Sequence, residues 1–69
     1  MPKPRKPWRV IVTGPGVRAE TEHTSEAKTS AHVRAELGGD GPADTARVEQ
    51  WEDGLWRWFE TVTADEIRA

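Results

Sequence analysis

TARVEQWEDGLWRWFETVT, residues 45–63, is the stretch whose reading decides the fold. It is rich in aromatic and β-branched residues, and Asp53-Gly54 interrupts it near the middle. Asp-Gly between two such runs is a hairpin signal, because a tight β-turn needs residues that tolerate positive φ. Thr45 to Trp51 is therefore expected as one strand and Leu55 to Val62 as the next.

Two registers satisfy this pattern. With Asp53-Gly54 as a two-residue turn, Trp51 faces Trp56, Glu49 faces Trp58 and Val48 faces Phe59. Trp51, Trp56 and Trp58 then share one face, and Val48, Leu55 and Phe59 the other. With Glu52-Asp53-Gly54 as a type I turn and Gly54 as a bulge, Trp51 faces Leu55, Glu49 faces Arg57 and Val48 faces Trp58. Val48, Trp56, Trp58 and Val62 then share one face, and Trp51, Leu55, Arg57 and Phe59 the other. The second register is preferred, since it sets a carboxylate against a guanidinium where the first sets it against an indole. Gly54 also supplies the positive φ of a bulged loop.

Upstream of the hairpin, Glu26 to Leu37 reads as a helix. Thr24 or Ser25 can cap it, and Glu26 lies in its first turn, near the positive end of the helix dipole. Ser30, Val33 and Leu37 form one weakly apolar stripe, with Ala27 at its margin. Gly38-Gly39 stops the helix, and residues 40–44, DGPAD, read as a loop. Earlier still, WRVIVT at residues 8–13 reads as a strand, with Trp8, Val10 and Val12 on one face. Gly14-Pro15-Gly16 ends it as a turn. No Gly-Lys-Ser/Thr follows, so it is not a phosphate loop. After the hairpin, Thr63-Ala64-Asp65-Glu66 has the spacing of a capping box for one last helical turn.

The expected order is β-α-β-β: a small α+β, two-layer domain, with a three-stranded sheet and one helix on one face. Val10, Val12, Val33, Leu37, Val48, Trp56 and Trp58 are its expected core. Residues 8–69 would form this single domain. Residues 1–7 precede it as a basic arm, kept extended by Pro2, Pro4 and Pro7.

With 69 residues the chain makes one domain at most, and its core is small. It has no cysteine, which removes disulfides and thiolate metal sites and fits a reducing cytoplasm. Its two histidines, His23 and His32, have no carboxylate at a recognisable ligand spacing from both, so no metal or cofactor is expected. No apolar run has the length of a membrane helix, and no apolar segment follows the basic start as in a signal peptide. The expected location is cytoplasmic. Charge is uneven: residues 1–9 carry Lys3, Arg5, Lys6 and Arg9 and no acid, whereas residues 10–69 carry six bases and twelve acids, for a net charge of −2.

Catalysis needs convergent acid, base or nucleophilic groups. The chain has no cysteine, no G-x-S-x-G and no His–carboxylate pattern on neighbouring elements, so the reading is non-enzymatic, with no small-molecule substrate. In the preferred register the sheet face away from the helix carries Trp51, Leu55, Arg57 and Phe59. Such a patch suits a protein partner or a second copy of the chain, because tryptophan is enriched at binding hot spots. The competing possibility is that the rings are core filler, with the arm and Trp8 folded over the sheet. The alternative function is nucleic-acid binding, with Lys3, Arg5, Lys6 and Arg9 on phosphates and the rings stacked on bases. The acids Glu49, Glu52, Asp53 and Glu60 around the rings oppose it.

Trp8-Arg9-Val10, Thr24-Ser25-Glu26-Ala27 and the V-E-x-W-E-D-G-x-W run from Val48 to Trp56 resemble small uncharacterised strand–helix–hairpin proteins of actinobacteria and their phages, over residues 8–62. The excess of Arg over Lys, seven to three, fits the GC-rich codons of such a source. The resemblance implies no activity. It implies a context, a phage accessory protein acting on a host component.

Overall fold

The computed structural model describes residues 5–39 and 41–68. Four strands, β1 (Trp8–Gly14), β2 (Val17–His23), β3 (Thr45–Glu52) and β4 (Leu55–Thr63), form an antiparallel sheet in the order β2-β1-β3-β4. Helix α1 (Glu26–Gly38) joins β2 to β3, and a short α2 (Ala64–Arg68) follows β4. The α+β class stands. The expected three strands and one helix are corrected to four strands and two helices.

The additional strand is VRAETEH. Val17, Ala19, Thr21 and His23 alternate with Arg18, Glu20 and Glu22, but the inward set holds one large apolar residue, so the period-2 signal is faint. Pro15-Gly16 turns the chain: proline presets its own φ, and Gly16 takes φ 73°. The long central ladder does the rest, with β1 paired to β2 along its whole length and to β3 from Trp8↔Gln50 to Thr13↔Thr45.

The β3–β4 hairpin corrects the preferred register. Asp53 and Gly54 have φ 51° and 83°, a two-residue turn with both residues left-handed, and Trp51 faces Trp56 while Glu49 faces Trp58. Beyond Glu49 the register shifts, so that Val48 faces Glu60 and Phe59 is an extra, bulged residue. Two consequences follow. All three hairpin tryptophans lie on one face, and Trp56 and Trp58 are not core, Trp58 being 59% exposed.

The core lies between the helices and the other face. It comprises Trp8, Val10, Val12, Ala46 and Val48 from the sheet, Val33 and Leu37 from α1, and Ala43 and Ala64, flanked by Val62 and Ile67. Of the four tryptophans, Trp8 is the one in the core. The buried stripe of α1 is Thr29, Val33 and Leu37, not Ser30, and Ser25 is the N-cap, its Oγ accepting from the Lys28 amide. At the other end, Arg68 of α2 donates to the Leu37 and Gly39 carbonyls and closes α1.

Candidate functional site

Residues paired across a ladder share a face, so the sheet surface away from the helices can be read row by row. One row runs Glu22, Arg9, Glu49, Trp58; the next Glu20, Ile11, Arg47, Thr61. Beside them the Trp51 amide donates to the Pro7 carbonyl at 2.7 Å, which carries the β1–β3 ladder to Pro7, and Trp51 sits opposite Trp56.

This face is held by an ion lattice. Arg9 Nε donates to Glu49 Oε1 at 2.8 Å, and Arg47 Nε donates to Glu49 Oε2 at 3.1 Å. Arg9 also lies 3.5 Å from Glu20, which lies 3.5 Å from Arg18. The Arg9 guanidinium sits 4.4 Å from the centre of the Trp56 ring, which meets Trp51 edge-on at 5.4 Å. The Trp58 indole N–H donates to Thr61 Oγ1 at 2.9 Å, which holds the ring while leaving most of it in solvent.

Glu49 is buried, which pushes its carboxyl up, but hydrogen bonds and charge from Arg9 and Arg47 outweigh this and hold it below its ordinary 4.5. On the opposite face the rings of His23 and His32 lie 4.7 Å apart, and Thr21 Oγ1 is 2.9 Å from His23 Nε2. Burial, then His32, then Lys6 lower the His23 pKa below 6.5.

Both shifts make acid destabilising, in separate windows. The unfolded chain protonates His23 more readily than the folded one, so its contribution is complete above 6.5 and declines as pH falls below it. The Glu49 contribution is complete above 4.5 and declines as pH falls through its lower folded value. The melting temperature is expected to fall between about pH 7.5 and about pH 5.5, and to fall less in His23→Gln, whereas Glu49→Gln flattens only the acid limb below 4.5. Equal pH profiles for wild type and His23→Gln would remove the histidine assignment.

The sequence-predicted patch is divided by the fold. Trp51 is half-buried on the open face, but Leu55, Arg57 and Phe59 belong to the helix side. Phe59 packs edge-on against Trp8 at 4.9 Å, and Arg57 lies 3.9 Å from both Glu52 and Asp53. Leu55, Arg57 and Phe59 lie together along one edge strand, β4, while Trp51 is on β3. Among the described residues the exposed large apolar side chains are Val17, Leu55, Trp58 and Phe59, and the last three are all on β4. Of the basic residues proposed for phosphate contact, Arg9 is committed to the ion lattice, Arg5 and Lys6 are exposed, and Lys3 lies outside the described residues.

Sequence reasoning missed Trp58 as the most exposed ring, and Glu49 as the partner of Arg9. The second pair was findable. Aligning WRVIVT antiparallel to TARVEQ with Val10 on Val48 sets Arg9 against Glu49.

A groove of about 440 Å³ lies between the tip of the β1–β2 hairpin and residues 41–43, with Val12, Val17, Ala19 and Pro42 in its wall. Neither His23 nor Glu49 lines it. Among the described residues no group of three or more His, Cys, Asp or Glu is placed to hold a metal ion, and no helix is long and apolar enough to cross a membrane. No family model, no curated protein and no solved structure matches the chain.

Proposed function

We propose that this is a non-enzymatic protein-binding domain whose partner docks along β4. One observation carries the reading. Exposed apolar side chains are concentrated on an edge strand and divided between its two faces, Trp58 on one and Leu55 and Phe59 on the other. Of these exposed side chains, a ligand lying flat on the open face covers Trp58 alone, beside half-buried Trp51 and Trp56. A polypeptide that adds itself to the edge satisfies the free backbone groups of β4 and reaches both faces at once. The opposite edge supports the contrast, since β2 presents Arg18, Glu20 and Glu22, the charged pattern that discourages strand addition.

Nucleic-acid binding is the second reading. The Pro7–Trp51 hydrogen bond favours it, because it brings exposed Arg5 and Lys6 to the end of the sheet that carries Trp51 and Trp56. The two readings separate in one pair of measurements. Titration with a mixed-sequence single-stranded DNA at low salt is expected to leave tryptophan emission without a saturable change. Proteins captured by the wild type from a host lysate are expected to be lost, by at least about tenfold, with a folded Leu55→Ser/Trp58→Ser variant. Saturable quenching by DNA that salt abolishes, and that Arg5→Ala/Lys6→Ala removes, would replace the first reading with the second.

A further inference from the structure

Resting on the β4 reading, the geometry points to a second copy of this chain as the occupant of that edge: two β4 strands pair antiparallel about a two-fold axis and join two four-stranded sheets into one. A two-fold axis normal to the sheet keeps each residue on its own face, so only residues of the same face can oppose one another. In a regular strand, residues an odd number of positions apart lie on opposite faces and never meet this condition. The bulge at Phe59 changes that. Arg57 pairs with Gln50, and Glu60 with Val48, and both partners lie in line with core-facing Trp8 and Val10. Glu60 also lines a helix-side recess with Val33, Val62 and Ile67. Arg57 and Glu60 are thus on the same side despite being three positions apart.

With the axis at Trp58, and Phe59 the extra residue on each strand, Arg57 faces Glu60 of the other copy and Glu60 faces Arg57, two opposite-charge pairs about one axis. Trp56 then faces Thr61, both on the open face, and Leu55 faces Val62, both on the helix side. The exposed Trp58 rings of the two copies flank the axis on the open face. Moving the axis to Glu60 also matches faces, but it sets Arg57 against Val62 and Glu60 against Glu60 of the other copy, a like-charge pair. Charge complementarity selects the first register. The interface is one strand wide, well below the area of a tight dimer, so the dissociation constant is expected on the order of 10–100 µM.

The test is sedimentation equilibrium of the full chain over a concentration series, with exchange of the β4 amides followed at both ends of it. Wild type is expected to approach twice the monomer mass, with slower exchange of β4 amides at high concentration. Arg57→Glu and Glu60→Arg, both at exposed positions, are each expected to weaken association by at least about tenfold. An equimolar mixture of the two variants is expected to recover it, because each cross-axis pair is again of opposite sign. A wild-type chain that stays monomeric, or a dimer indifferent to both variants, overturns the proposal. In the first of these cases the β4 reading survives if the Leu55→Ser/Trp58→Ser variant still loses its captured protein. In the second it is decided by the same capture, since a dimer formed elsewhere leaves β4 free.

Discussion

Trp8→Ala is expected to remove a large part of the protein's stability at 25 °C. Trp8 is 8% exposed and sits in the core at the start of β1, between His23 of β2 and Gln50 of β3, with Phe59 edge-on at 4.9 Å. Truncating a buried tryptophan costs about 3–5 kcal/mol. A domain of this size holds about 3–10 kcal/mol in total, so one side chain carries a large part of the margin. Urea unfolding followed by circular dichroism measures the loss directly. Trp58→Ala is the control: its ring is 59% exposed, and the expected cost is below about 1 kcal/mol. Equal losses at the two positions would contradict the assignment of Trp8 as the core indole.

Gly14→Ala is the second large effect, and its cause is different. A Cβ at Gly14 would fall 2.1 Å from the Pro42 carbonyl oxygen, a backbone atom that no rotamer change can move. The segment that would have to retreat is tied on both sides. The Asp44 amide donates to the Thr13 carbonyl at 2.9 Å, and the Ala64 amide donates to the Asp44 carbonyl at 2.8 Å. Ala43 between them is buried in the core. Overpacking of this kind costs about 1–3 kcal/mol and more where the backbone is held. Gly16→Ala isolates the conformational term, because φ is 73° there and nothing lies within 4 Å of the added carbon. About 1 kcal/mol is expected at Gly16, and thermal melts of the two variants should rank Gly14→Ala well below it. The reverse order would mean that residues 41–44 yield freely.

A close approach such as Gly14 against Pro42 has no local signature, which also marks the boundary of what could be read from the chain. WRVIVT, the α1 segment with its cap at Thr24 or Ser25, and the place of the Asp53-Gly54 turn were legible, because apolar periodicity, capping residues and turn chemistry act over a few neighbouring positions. The apolar core members Val10, Val12, Val33, Leu37 and Val48 were legible for the same reason. VRAETEH was not, since its strand state rests on pairing with β1 more than on its own apolar content.

The site residues follow the same division. That at least one hairpin tryptophan would lie outside the core was readable from the small size of the chain. Which of them, and on which face, was not. The preferred register weighed one charge pair within the hairpin, whereas in the folded protein Glu49 is satisfied by Arg9 from β1 and by Arg47, which frees the turn to take its two-residue form. The bulge at Phe59 then returns β4 to the register that puts Val62 beside the core.

The sequence by itself determined the α+β class, the helix, the place of the hairpin turn at Asp53-Gly54 and the aliphatic core positions Val10, Val12, Val33, Leu37 and Val48, because each depends on residues close along the chain. The tertiary structure alone decided the fourth strand, the face of each tryptophan and the exposure of β4. Strand order and face depend on pairing partners distant in sequence, and a one-residue slip or bulge reverses every side chain beyond it.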